Sequence, residues 1–292
     1  MNDAPITWNP DRSAPELELP EGATDCHVHV FGPVSRFPYA AESGFKPGDA
    51  PKEELFRLHD LLGFERCVIV QSGCHGHDNS AVADALAARR GRCLGIALAP
   101  PEIPDATIRR LHAQGFRGLR FNYMSHLAPG AGPDQLRALA PRLADHGWQL
   151  LIHMEPGLIA GLAPVLAELP CPVVIDHMGR IEARRGMDQA PFRELVRLGE
   201  RDHVWLKVSG SERCSAGEPP YADATPFAAK LVELYPDRTI WGTDWPHPNF
   251  RAAPPDDGVL VDTLAAIAPG PEALGRLLVG NPGRLYGFGA AA

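Results

Sequence analysis

No stretch of this 292-residue chain approaches the roughly 18 apolar residues needed to cross a bilayer. The first 22 residues, Met1 to Gly22, are polar and proline-rich and lack an apolar h-region, so no secretory signal is expected there. Positive charge is in deficit: 28 Lys and Arg against 36 Asp and Glu give a net charge of -8. With a pI near 5.8 this argues against a nucleic-acid partner. An anionic small molecule stays possible, because a few local arginines set the potential of a pocket. No Cys-x-x-Cys pair occurs. The six cysteines (Cys26, Cys67, Cys74, Cys93, Cys171 and Cys214) are scattered, which points to reduced, mostly buried thiols in a cytoplasmic protein rather than a disulfide frame or zinc ribbon. Only Cys74 falls in a loop that could face a pocket. No Gly-x-Gly-x-x-Gly follows the first strand-like segment, which weakens a dinucleotide-binding fold and any organic cofactor with it.

What the chain does have is a rhythm. Near-continuous apolar segments occur at about 24–30, 67–72, 93–98, 117–122, 148–153, 172–177, 203–209 and 239–244, as expected for parallel strands covered on both faces. Helical spacing fills the intervals: 51–63, 80–90, 105–114, 133–146, 156–169, 191–200, 225–234 and 258–267, with Gly115 and Gly147 as stop signals. Eight strand–helix units fit a single (β/α)8 TIM-like barrel over residues 23–292, preceded by an extended arm at 1–22. An open doubly wound sheet is the alternative. Gly32 to Ala50, with Phe37, Tyr39 and Phe45, reads as an insertion after strand 1. It is either a lid over the barrel mouth or a surface loop packing its own aromatics. A C-terminal helix over 271–288 should lay Leu277, Leu278 and Leu285 on the barrel wall.

In a barrel the C-terminal ends of the strands open into one pocket, so the polar residues at those ends form a candidate site. Strand 1 contributes His27 and His29, on one face by alternation, with Cys26, Val28 and Val30 on the other. Strand 2 ends in Gln71 and Ser72, strand 4 in Arg120 and Asn122, strand 5 in His153, and strand 6 in Asp176 and His177. Strand 7 runs through Lys207 to Ser209 and then Arg213. Strand 8 leads to Asp244 and His247. A lone histidine after an apolar run is usually a satisfied strand-end residue, and Asp176 could simply cap a turn. Four histidines and an aspartate at four strand ends are harder to dismiss. Neutral imidazoles and a carboxylate suit a divalent ion such as Zn²⁺ with an open position for water. A carboxylate beside that water can act as general base. Arg120 and Arg213 suit a substrate carboxylate.

The stretches Thr24-Asp25-Cys26-His27-Val28-His29, Val174-Ile175-Asp176-His177-Met178-Gly179-Arg180 and Trp241-Gly242-Thr243-Asp244-Trp245-Pro246-His247-Pro248 resemble the amidohydrolase superfamily, specifically its amidohydrolase-2 group. The likeness runs from Gly22 to Phe288. It implies a distorted TIM barrel that hydrolyses a lactone from aromatic-compound breakdown, a pyrone dicarboxylate or a muconolactone. By it, Asp244 activates water, while His27, His29 and His177 polarise the ester carbonyl or bind a metal. Arg120, Arg213, Ser72, Asn122 and His247 would hold an anionic substrate. The lactonases of this group that work without metal carry a tyrosine near His153, a tyrosine in the first loop where Phe45 stands, and an arginine where His126 stands. His153 restores the strand-5 histidine of metal-dependent relatives, so one divalent ion on His27, His29, His153 and Asp244 is expected. Arg120-Phe121-Asn122 replaces the strand-4 residue that bridges two metals elsewhere, so a binuclear site is not. A metal-dependent decarboxylase, a sugar-lactone hydrolase and a non-catalytic binding barrel are the rival readings.

Overall fold

A computed structural model describes residues 4–127, 130–250 and 253–288; the first three residues of the expected arm and the last four of the expected barrel lie outside them. Eight parallel strands run in chain order around one sheet: β1 (Thr24–Val28), β2 (Arg66–Val70), β3 (Cys93–Ala97), β4 (Phe116–Tyr123), β5 (Gln149–Met154), β6 (Val173–Ile175), β7 (Val204–Lys207) and β8 (Thr239–Ile240). Helices return the chain between them, including Lys52–Leu62, Ser80–Ala88, Asp105–Ala113, Pro133–Asp145, Ile159–Leu166, Ala190–Gly199 and Thr225–Leu234. The expected (β/α)8 barrel is the architecture found. The ends of β6, β7 and β8 are shorter than their apolar runs because the chain leaves the ladder early to turn side chains into the mouth.

Closure joins β8 back to β1. Cys26 N donates to Trp241 O (2.9 Å), Asp244 N to His27 O (2.8 Å) and His29 N to Trp245 O (2.7 Å). Asp25, fully buried, reinforces this seam: Oδ1 accepts from His27 N and Thr243 N at 3.1 Å each, and Oδ2 from Thr243 Oγ1 at 2.7 Å. Gly242 makes the approach possible, since a Cβ there would lie 2.4 Å from His27 N.

Two apolar layers follow. Inside the barrel, Val68, Val70, Leu94, Ile96, Leu151, Val174 and Ile240 pack together. Outside, the alternate strand residues meet the helices. Strict alternation fails in β1. Its register shifts between Asp25 and Val28, and Cys26 joins the inner layer while Val28 and Val30 join the outer one. A bulge of this kind lets neighbouring side chains share a face. The C-terminal segment is helical from Pro271 to Tyr286, as expected, with a π turn in its middle. It runs as Pro271–Gly275, a wide π turn Arg276–Gly280, and Asn281–Tyr286. Leu277 and Leu278 pack outside as expected, but Leu285, Tyr286 and Phe288 plug the barrel floor, where Gln149 Nε2 donates to Leu285 O.

The N-terminal residues hold to the barrel by backbone donors: Ser13 N to Asp256, and Glu16 N and Leu17 N to Asp262 Oδ1. Trp8 packs on Trp245 with ring centroids 6.1 Å apart. The segment after β1 is pinned by an antiparallel bridge between Phe31 and Ala50; Phe45 lines the mouth and also packs edge-on against Phe31, so features of both expected readings are present. All six cysteines are free and buried, Cys74 included.

Candidate active site

The strand ends open into a cavity of about 1180 Å³. Ser72, Arg120, Asn122, His153, His177, Arg213, Asp244 and His29 line it, as does Phe45 from the insertion. His27 and His247 do not; both are buried behind it.

Asp244 is the centre. Its Oδ1 lies 3.5 Å from His27 Nε2, 3.3 Å from His29 Nε2 and 3.7 Å from His177 Nε2. Its Oδ2 accepts from Arg213 Nε, whose other neighbour is Glu212 Oε1 at 3.4 Å. Burial alone would raise the Asp244 carboxyl, but the charge of Arg213 and the nearby rings of His177, His29 and His27 hold it well below the usual carboxylate range. Desolvation lowers all four site histidines, His177 to about 3, so the rings are neutral near pH 7.

Backbone strain places two of these groups. Asp244 has φ +65°, and His177, Met178, Gly179 and Arg180 form an unbroken left-handed run with φ between 49° and 61°. Left-handed non-glycine residues cost on the order of 1–3 kcal/mol each and gather at functional sites. The run turns the end of β6 so that His177 enters the cavity. Gly210 packs flat on that ring: a Cβ there would lie 2.7 Å from His177 Cβ.

Each ring nitrogen facing away from the cavity has a partner, and that partner decides what the other nitrogen presents. His29 Nδ1 donates to Val70 O at 2.7 Å, which leaves a lone pair on Nε2. His153 Nδ1 meets Asn122 Oδ1 at 3.0 Å, with the same consequence. His177 Nδ1 meets Ser209 Oγ at 3.0 Å, and a hydroxyl both donates and accepts, so its Nε2 is free to present either. The Nε2 atoms of His27, His29 and His153 are buried without a hydrogen-bond partner. Ligand atoms of His27, His177 and Asp244 fall within 4.8 Å of one another. Lone pairs aimed at a carboxylate oxygen fit a divalent ion. Of the expected metal set, His27, His29 and Asp244 come together and are joined by His177. His153 stands further out, its ring 5.9 Å from that of His177.

Both expected arginines line the cavity, and each is also engaged by a carboxylate of the protein. Arg120 Nε donates to Asp176 Oδ2 at 2.9 Å, so much of its charge is spent inside the protein, and Asp176 is an ion-pair partner, not a turn cap. Arg213 belongs to Asp244. Arg180, unassigned from sequence, lines the cavity with no hydrogen-bond or ion-pair partner among the described residues. Its place at the end of the Val174–Arg180 string gave no sign of this; the left-handed backbone sends it inward. His247 serves from behind. Its N–H donates to Asp244 O at 2.7 Å and its Nε2 meets Asp257 Oδ1 at 3.1 Å, while Nδ1 has no partner.

A closed (β/α)8 barrel whose mouth holds neutral histidines around one ionised aspartate defines the class of His/carboxylate barrel enzymes. A family model described as Amidohydrolase matches residues 24–288, and the chain belongs to that family. It is 43% identical over 290 residues to a 2-pyrone-4,6-dicarboxylate hydrolase of Comamonas testosteroni, covering 96% of this chain and 95% of that one. It is 40% identical over 281 residues to a 4-sulfomuconolactone hydrolase of Rhizobium radiobacter, covering 94% of each. A ligand-free crystal structure from Agrobacterium tumefaciens superposes with a TM-score of 0.83 at 26% identity, covering 95% of this chain and 100% of that one.

Proposed function

We propose that this protein hydrolyses a small anionic lactone, with Asp244 as general base. The observation that carries this is the pairing of an ionised, buried Asp244 with an arginine on one oxygen and neutral imidazoles around the other. Asp244 Oδ1 takes a proton from water as the water oxygen bonds to the lactone carbonyl carbon. His177, with Ser209 donating to its Nδ1, donates from Nε2 to the oxygen that gains charge. As the carbonyl re-forms, the ring C–O bond breaks and the departing oxygen recovers the proton held by Asp244. The products are a carboxylic acid, which then releases its proton to water, and a ring-opened alcohol or enol. Both kinds of named relative act on anionic lactones, one a dicarboxylate and the other a sulfonate, and this supports an anionic substrate here.

Were a divalent ion of the zinc class bound, His29 and His177 through Nε2 and Asp244 through Oδ1 would hold it, with His153 beside them, and the ion would take over from the His177 N–H the polarising of the carbonyl. Such an ion supplies a more acidic water and a polarised carbonyl. The test is metal analysis of protein purified without chelator, then a panel containing 2-pyrone-4,6-dicarboxylate, 4-sulfomuconolactone and an uncharged sugar lactone, with and without Zn²⁺ or Mn²⁺. Ring-opened acid from a charged lactone supports the reading. Release of CO₂, or opening of none of them, removes it.

Arg180 supplies the charge for the substrate's anionic arm. Charge-assisted hydrogen bonds contribute about 1.5–3 kcal/mol, so Arg180→Met should raise KM about 10- to 100-fold with kcat little changed. Steady-state kinetics on the preferred lactone measures the split; an unchanged KM would remove Arg180 from the binding role.

A further inference from the structure

Beneath the cavity lies a buried chain of charges. Lys207, fully buried at the end of β7, stands with Nζ 2.9 Å from Asp176 Oδ1 and 2.7 Å from His27 Nδ1. Arg120 Nε takes the other oxygen of Asp176. None of these contacts uses substrate. Asp176 between two cations is a carboxylate: burial alone would raise it, but the charges of Lys207 and Arg120 hold it well below the usual range. An ammonium facing that carboxylate has only protons to offer its second neighbour. His27 Nδ1 must therefore accept, and the ring proton sits on Nε2. That N–H has no hydrogen-bond partner and faces Asp244 Oδ1 at 3.5 Å.

From this we infer that Lys207 is a positioning residue, which locks His27 as the Nε2–H tautomer so that His27 aims a proton at Asp244 Oδ1 and is not a metal ligand. The inference refines the hydrolase reading above and rests on it for its catalytic consequence. It splits the histidines by what lies behind them. Carbonyl oxygens behind His29 and His153 turn lone pairs toward the cavity, whereas an ammonium behind His27 turns a proton there. The two histidines of the β1 pair thus do opposite things. His27 holds the base oxygen in its working direction, and His29 offers it a site for an ion or a water proton.

Histidine tautomers are read directly by two-bond ¹H–¹⁵N correlation spectra of the full-length chain labelled with ¹⁵N-histidine, the His27 signals being those that vanish in His27→Gln. Metal-free wild type should show His27 as Nε2–H, and added Zn²⁺ should shift His29 while His27 keeps its proton. Lys207→Met should move His27 toward Nδ1–H and lower kcat by about 10²-fold, the order of loss seen when a catalytic group is misplaced or its tautomer is wrong, with KM within about threefold. Lys207→Gln, which keeps a donor, should retain the Nε2–H pattern and recover part of kcat. A wild-type His27 protonated on Nδ1, displacement of its Nε2 proton by Zn²⁺, or an unchanged tautomer in Lys207→Met each overturns the inference. If Lys207→Met does not fold, the wild-type spectra alone decide. Because the spectra need no turnover, a failed lactone panel would leave this result standing on its own.

Discussion

Asp244→Asn should lower kcat by about 10³-fold while the protein stays folded, general-base catalysis being worth roughly 10²–10⁴-fold. Asn keeps the size of the side chain and tolerates the left-handed backbone at φ +65° as well as Asp does. The backbone bonds that use residue 244, its N–H to His27 O and its carbonyl from His247 N, are untouched. What disappears is the charge. The amide cannot take a proton from water, and Arg213 loses the carboxylate oxygen it holds. If Asn turns its NH₂ toward Arg213, two donors face each other; if it turns NH₂ toward the rings, it opposes the His27 N–H. Either way KM should move far less than kcat, since Asp244 is assigned to the proton and not to the substrate's anion. Circular dichroism establishes the fold and initial rates on the preferred lactone give the loss. Turnover at the wild-type rate would mean that the base is elsewhere.

The largest effect on stability should come from Asp25→Ala, a loss of about 3–5 kcal/mol, the low end for stranding three buried donors. The substitution strips acceptors from His27 N, Thr243 N and Thr243 Oγ1 at once and leaves them dry. Each unsatisfied buried donor costs about 1–3 kcal/mol. His59 Nε2, 3.4 Å from Asp25 Oδ2, loses a close carboxylate as well. Damage there falls on the seam that closes the barrel, and the same seam carries His27 and Asp244 on its two sides. Asp25→Asn keeps one acceptor oxygen and should lose about 1–2 kcal/mol, near the net value of a hydrogen bond to a charged group. Urea unfolding followed by tryptophan fluorescence ranks the three proteins. Equal midpoints for Asp25→Ala and wild type would show that the backbone bonds alone hold β8 to β1.

Much of this could be read in the residues. Parallel strands covered on both faces are written as continuous apolar runs, so all eight announced themselves, and the barrel rule then gathered His29, His153, His177 and Asp244 at one mouth. The misreadings share one cause: they depend on contacts between distant segments. Nothing local to Arg120 says that its guanidinium is already engaged 56 residues away by Asp176, or that Lys207 reaches His27 across 180 residues. Arg120 and Arg213 both line the cavity, as their strand-end positions suggested, but each also holds one of the protein's own carboxylates through Nε, which their residue type alone does not reveal. Cys26 was placed on the wrong side because a bulge in β1 resets the alternation. Arg180 stayed hidden because four successive left-handed residues are not written in any periodicity.

The Arg120–Asp176–Lys207–His27 chain also bears on how such a barrel changes its substrate over generations. Its members compensate one another's charge, with Asp176, Lys207 and His27 fully buried behind Arg120, so replacing any one strands the others, and drift at these positions has to be concerted. Arg180, Phe45 and His126 lie on the cavity wall outside that chain and form no ion pair among the described residues, so each can vary alone. New specificities on this scaffold should therefore arise by single steps at the rim, while the floor is inherited as a block.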